Sequence, residues 1–229
     1  MLKYICILAI MHLVDFYYVM DVVAFICCLF TYRKLDRNFK SLLPLLSFLL
    51  VYDFVNIFGW MNIYHSNAWC NNIEDILLFA FFTRFIQAFD DRPEKKKQVY
   101  IGAGIVIVLS ILDIFFLQGG FWKRATAATV VQNLYLIWMI CNYYYRLLNT
   151  DTDENIELIT YPPFLALTGI FFYYLTTTFY YSCFSYMVYR NNYHFYLIAA
   201  ALLNITTFAL NFLLSLAFIC SFRKNSLSS

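Results

Sequence analysis

The sequence predicts an all-α polytopic membrane protein. A single domain, residues 1–229, forms a seven-transmembrane helix bundle with its N-terminus outside and its C-terminus in the cytosol. Three observations predict this. The chain is 62% hydrophobic and 13% charged, whereas soluble domains are about half apolar and a quarter charged. Seven apolar stretches approach or exceed the roughly 20 helical residues needed to cross a hydrocarbon core of about 30 Å. Between them the basic residues fall in short clusters, and no Gly/Ser/Pro-rich linker marks a second domain.

The expected spans run in order along the chain. The first, Val14 to Tyr32, follows "MLKYICILAIMHLVD", which has one basic residue and no small-x-small pattern, so it reads as a lead-in rather than a cleaved leader. The second, Lys40 to Asn62, begins with "SLLPLLSF", a proline placed in a first helical turn. The third, Asn71 to Phe89, opens on Glu74 and Asp75. The fourth, Val99 to Leu117, contains "GAG", a small-residue helix contact and no nucleotide loop, since no strand precedes it. The fifth, Ala125 to Arg146, carries Asn133 midway. The sixth, Tyr161 to Tyr189, starts "YPPFLALT" and holds Thr176, Thr177 and Thr178. The seventh, His194 to Phe222, contains no lysine, which excludes a retinal Schiff base there.

Orientation follows from the Lys/Arg bias. Eleven basic residues flank one side: Arg33, Lys34, Arg37, Lys40, Arg92, Lys95, Lys96, Lys97, Arg146, Arg223 and Lys224. Four flank the other: Lys3, Lys123, Arg124 and Arg190. The richer side is the cytosolic one. Trp60, Trp69 and Trp122 then fall at the outer boundary and Tyr143, Tyr144, Tyr145 and Tyr161 at the inner one, as aromatic belts.

Arg84 is the remaining basic residue, set among phenylalanines about 12 Å from the inner boundary. Three readings stand: an intramembrane charge pair, snorkelling to the cytosol, or direct handling of an ion or ligand. The pair takes precedence because helical side chains lean toward the N-terminus, here away from the nearest water. Asp53 is the first expected partner, since a short outer loop makes its helix an antiparallel neighbour, and Asp21 is the second by depth. Asp113 lies at comparable depth.

A polar layer is expected in the outer half. Asp53, Asn56 and Trp60 fall at i, i+3 and i+7 on the second helix, and Asn204, Thr207 and Asn211 repeat that spacing on the seventh. With Asn133 they either line a ligand cavity or hydrogen-bond between helices to hold them together. The 45 Phe and Tyr residues, 25 and 20, serve chiefly to pack.

Catalytic signatures are absent. His12, His65 and His194 lack metal-ligand spacing, no Cys-x-x-Cys occurs, and no serine sits in Gly-x-Ser-x-Gly. No metal and no cofactor is expected. Cys70 and Cys183 both lie toward the outer face, where a disulfide is permitted. A net charge of +2 spread over loops gives no nucleic-acid face.

Four segments carry a resemblance: "NNIEDILLFAFFTRF" opening the third helix, "ILDIFFLQGGF" ending the fourth, "YPPFLALTGIFFYYL" opening the sixth and "FICSF" ending the seventh. Over most of its length the chain resembles small uncharacterised seven-helix membrane proteins of the Bacteroidetes group, similar to sensory halves of bacterial signalling proteins. It departs from them at Leu165, where a tryptophan is expected. The resemblance implies a partner acting in trans and carries over no catalytic residue.

The expected function is therefore an integral membrane sensor or signalling/accessory subunit of the bacterial inner (cytoplasmic) membrane, not an enzyme. It acts through a separate protein partner or as a homo-oligomer in the lipid bilayer, without nucleic acid. The short tail after Phe222 points to a separate output protein. One alternative is a small-solute or ion transporter or pore subunit relaying through Asp21, Asp53 and Arg84. Lack of repeats and of a broken helix counts against it. The other alternative is a membrane effector or accessory protein of a prokaryotic defence system.

Overall fold

The computed structural model describes residues 18–63, 66–90, 92–117, 120–149, 157–189 and 193–227. His12 and His65 lie outside them, as do Lys3 and Arg190.

Among the described residues seven long helices follow one another. They are numbered α1 (18–31), α2 (Arg37–Lys40 and Leu42–Ile57, joined through Ser41), α3 (Ala68–Gln87), α4 (Pro93–Leu112, running into a π turn over Asp113–Leu117), α5 (Thr126–Asn149), α6 (Pro162–Tyr189) and α7 (Tyr193–Leu227). Among the described residues the only β pairing is an isolated bridge between Ile63 and Ser66. Pro93 and Pro162 stand at helix starts, where a missing N–H costs nothing. Gly59, at φ 66°, supplies the left-handed residue that stops α2.

Among the described residues three helices are long and apolar enough to cross a membrane: Arg37–Ile57, Glu94–Leu117 and His194–Lys224, of 21, 24 and 31 residues. The others differ for visible reasons. α3 carries Asn71, Asn72, Glu74, Asp75 and Arg84, while α5 and α6 are rich in Tyr, Asn and Thr. α1 is described only from residue 18.

The helices alternate in direction. Asn72 near the start of α3 donates to the carbonyls of Phe121 and Lys123 and accepts from the Ala125 amide, so the α2–α3 and α4–α5 loops share one end, here the upper end. At the lower end Asn38 donates to the Ala88 carbonyl and Arg146 pairs with Asp90.

α3 is the most enclosed helix, with Leu78, Phe79, Phe82, Phe85 and Ile86 all buried. Its lower half meets a knot of rings: Phe39 lies 5.6 Å from Phe85 and 6.1 Å from Phe218, both edge-on, tying α2, α3 and α7. α6 and α7 share the most extensive helix contact. It is close because Gly169 has no side chain; a Cβ there would sit 3.2 Å from Leu210 Cα. In "GAG", Gly102 faces the Tyr135 ring as a small-residue contact should, but Gly104 has nothing within 4 Å.

The outward faces are apolar. Val51, Ile101, Ile105, Val108, Ile205 and Phe116 are all exposed. Of the expected inner belt only Tyr145 projects fully. Tyr143 is buried beneath the Arg146 guanidinium, and Tyr144 turns inward to Thr168.

Candidate functional site

The polar stripe of α7 folds inward because the opposite face of that helix is apolar: Leu202, Ile205 and Phe212 are exposed, while Leu210 and Asn211 are buried. Asn204, Thr207 and Asn211 thereby face Asp53 of α2 across a cavity of ≈ 220 Å³. Asp21 of α1 and Glu74 of α3 complete the polar wall, and Leu78, Phe82 and Tyr173 are among the residues that close the rest. Among the described residues no lysine or arginine lines the cavity.

Three carboxyl groups therefore share one compartment. Asp21 is 7% exposed and Asn211 3%. The Asn211 side-chain amide donates to Asp21 Oδ1, while Asp21 Oδ2 is buried without a partner. The Asp53 carboxyl lies beside that of Asp21. Glu74 lies against the Tyr52 hydroxyl, which also donates to Asn71 Oδ1. Carboxylates this close repel one another in a poorly polarisable surrounding unless a positive charge or protons balance them.

Three expected members of the layer lie elsewhere. Asn56 accepts from Asn67 Nδ2 at 2.8 Å, closing the top of α2 against α3. Trp60 is 70% exposed and packs on Phe54 and Phe58. Asn133 is buried, but it lines a separate void of ≈ 20 Å³ with Asp75, Gln132, Tyr174 and Thr177. Leu78 and Tyr173 line both spaces and part them. The smaller one suits a single water molecule, and Asn133 Nδ2 and the Tyr174 hydroxyl are its unpartnered groups.

The expected charge pair of Arg84 with Asp53 or Asp21 is not formed. Arg84 is exposed on the outer face of α3, in line with Ile73, Leu77 and Ala80. These positions repeat at i, i+4, i+7 and i+11, one helix face, and the carboxylates stand on another. The interior ion pair is instead Arg124 with Asp75, at 2.8 Å. Arg124 turns from the α4–α5 loop into the bundle, donates to the Tyr181 hydroxyl at 2.6 Å and stacks on that ring. Thr129 donates to the same carboxylate.

Asp113, also expected at depth, accepts from the Ala128 amide at 2.9 Å and so joins the π turn of α4 to the start of α5. Cys70 and Cys183 are both free, the Cys70 thiol donating to the Asn67 carbonyl. Among the described residues no group of His, Cys, Asp and Glu is placed to hold a metal ion. Neither a protein family, nor a curated protein, nor a solved structure matches this chain.

Proposed function

We propose that the chain is an integral membrane sensor or accessory subunit whose acidic cavity receives a small cationic ligand and whose lower loops report its occupancy to a separate protein. In this reading all seven helices cross the cytoplasmic membrane of a bacterium, with the N-terminus outside. Three helices qualify by length and composition, and the rest run alongside them with apolar outer faces. Polar residues then face the interior, as an apolar surrounding demands. The resemblance to sensory halves of signalling proteins points the same way.

One observation carries the ligand class. Asp21, Asp53 and Glu74 converge with Asn204, Thr207 and Asn211 on one cavity that no basic side chain among the described residues lines. Donors for an anion are few there, whereas acceptors for an organic ammonium are many. The test is thermal stability of the protein in lipid nanodiscs, titrated with ethylammonium and choline chlorides against sodium chloride as the control at fixed ionic strength. One of the two ammonium salts raises the midpoint of the wild type above the control, and Asp53→Asn removes that rise without changing the fold. Equal midpoints with every salt would sink the reading.

A second reading, transport of a cation or proton, is favoured by the Asp21 and Asp53 carboxyls lying side by side with one oxygen unpartnered. Proteoliposomes separate the two. Flux that Asp53→Asn abolishes means transport; saturable binding without flux means sensing.

A further inference from the structure

The acidic cavity presents its carboxyls in two groups. Asp21 and Asp53 lie side by side, with the Asn211 amide on Asp21, and make up the first. Glu74 is the second; it enters from α3 and has its own neighbour in the Tyr52 hydroxyl. Leu49, Leu78, Phe82 and Leu210 supply an apolar part of the same lining. On α7 the polar lining runs from Asn204 to Asn211, seven residues or about 10 Å of helix, so the space is longer than one ammonium fills. Its volume of ≈ 220 Å³ is nevertheless small beside pockets for drug-sized ligands.

Asp21 marks the space as a place for a ligand. It is 7% exposed, and its Oδ2 is buried without a partner. Such an acceptor calls for a donor, and among the described residues no lysine or arginine lines the cavity to provide one. A single ammonium balances one group of carboxyls and leaves the other uncompensated, in surroundings that screen charge weakly.

We propose that the cavity takes a linear alkane diammonium, with one ammonium on Asp21 and Asp53, the other on Glu74, and the methylenes against the leucines and Phe82. This ligand class rests on the reading of the cavity as an ammonium site and adds a second charge to it. Each ammonium brings three N–H donors, for which Asp21 Oδ2 and the Asp53 and Glu74 carboxyls are acceptors, with the side-chain oxygens of Asn204 and Thr207 as further ones.

The test uses the full chain in phosphatidylcholine nanodiscs, titrated calorimetrically with butylammonium chloride and with the dihydrochlorides of butane-1,4-diamine and pentane-1,5-diamine at fixed ionic strength. The wild type binds one of the diamines about tenfold more tightly than butylammonium. Glu74→Gln removes that advantage, and Asp53→Asn weakens monoamine and diamine alike. Butylammonium bound as tightly as either diamine overturns the second charge and leaves the ammonium reading standing; no binding of any of the three overturns both. A diamine advantage that persists in Glu74→Gln places the second ammonium outside the cavity and overturns the proposal. The wild-type comparison decides even where a variant fails to fold.

Discussion

Glu74 and Asp75 are adjacent in sequence, yet they serve different compartments. Successive residues on a helix point about 100° apart, so Glu74 reaches the acidic cavity and Asp75 reaches Arg124. Removing either partner of the Arg124–Asp75 pair leaves a mostly buried charge alone. Arg124→Met is therefore expected to cost about 3 to 5 kcal/mol, and adding Asp75→Asn to recover part of it, by thermal melting in detergent. Arg84→Gln, by contrast, should change stability by less than about 0.5 kcal/mol. Asp90 supplies a pH dependence. Burial alone would raise its carboxyl, but hydrogen bonds from Arg92 and the nearby Arg146 charge outweigh it and hold the group below its ordinary value. A depressed value means that the contribution is complete above the unfolded carboxyl's range and is lost as pH falls through the folded one. Asp90→Asn should thus lower stability by about 1 kcal/mol at pH 7, and the difference from wild type should close on acidification below pH ~4. Depth along the chain was legible for Arg84, but not for Arg124, which the sequence places on the outer flank and the structure turns into the bundle. Azimuth around α3 was legible too, since Ile73, Leu77, Ala80 and Arg84 form one apolar-led stripe. Depth alone pointed Arg84 at Asp53; the stripe points it outward.

At the scale of the helix, the contact between α6 and α7 depends on an absence of side chain. Gly169→Val would force a branched side chain onto the Leu210 backbone, with Cα at 3.2 Å and the carbonyl oxygen at 3.3 Å. Neither can swing away, so a loss of about 1 to 3 kcal/mol is expected in thermal melts. Gly104→Ala is the control. With nothing within 4 Å of its added methyl, it should be neutral or stabilising by up to about 1 kcal/mol, the helix propensity gain alone. The elements themselves were readable from the sequence. The i, i+3, i+7 stripe of α7 does face Asp53, because only one orientation hides three polar groups while turning Leu202, Ile205 and Phe212 outward. The same spacing misled on α2, where Asn56 and Trp60 sit close to the helix end. There the chain turns at Gly59, and a neighbouring loop residue, Asn67, satisfies Asn56 first. Arg124 was unreadable for a related reason. A loop charge carries no periodicity, so nothing in its spacing says that it folds back inside.

For the molecule as a whole, the proposed threading is testable from both ends. In a background with the seven native cysteines replaced, Lys123→Cys should react with a membrane-impermeant maleimide in intact cells and Lys224→Cys should not. The reverse pattern would invert the protein. Both side chains are exposed, so access is limited only by the membrane. The bias in loop charge sharpens when Arg124 is removed from the outer tally, since that guanidinium spends its charge on Asp75. On the proposed threading, in which α3 crosses the membrane, this pairing would also constrain biogenesis. As α3 leaves the ribosome it brings Glu74 and Asp75, and an Asp at the centre of a span costs the translocon roughly 3 kcal/mol, less toward either end. The neutralising cation arrives only with the loop after α4, and the Tyr181 that grips it only with α6. A nascent chain halted after α3 should therefore insert that helix poorly, and one halted after α6 should insert it fully, as scored by a glycosylation tag placed in the loop that follows α3, which is modified only when α3 fails to stay in the membrane. Complete insertion of α3 in the shorter chain would show that the membrane accepts the helix before its countercharge is made.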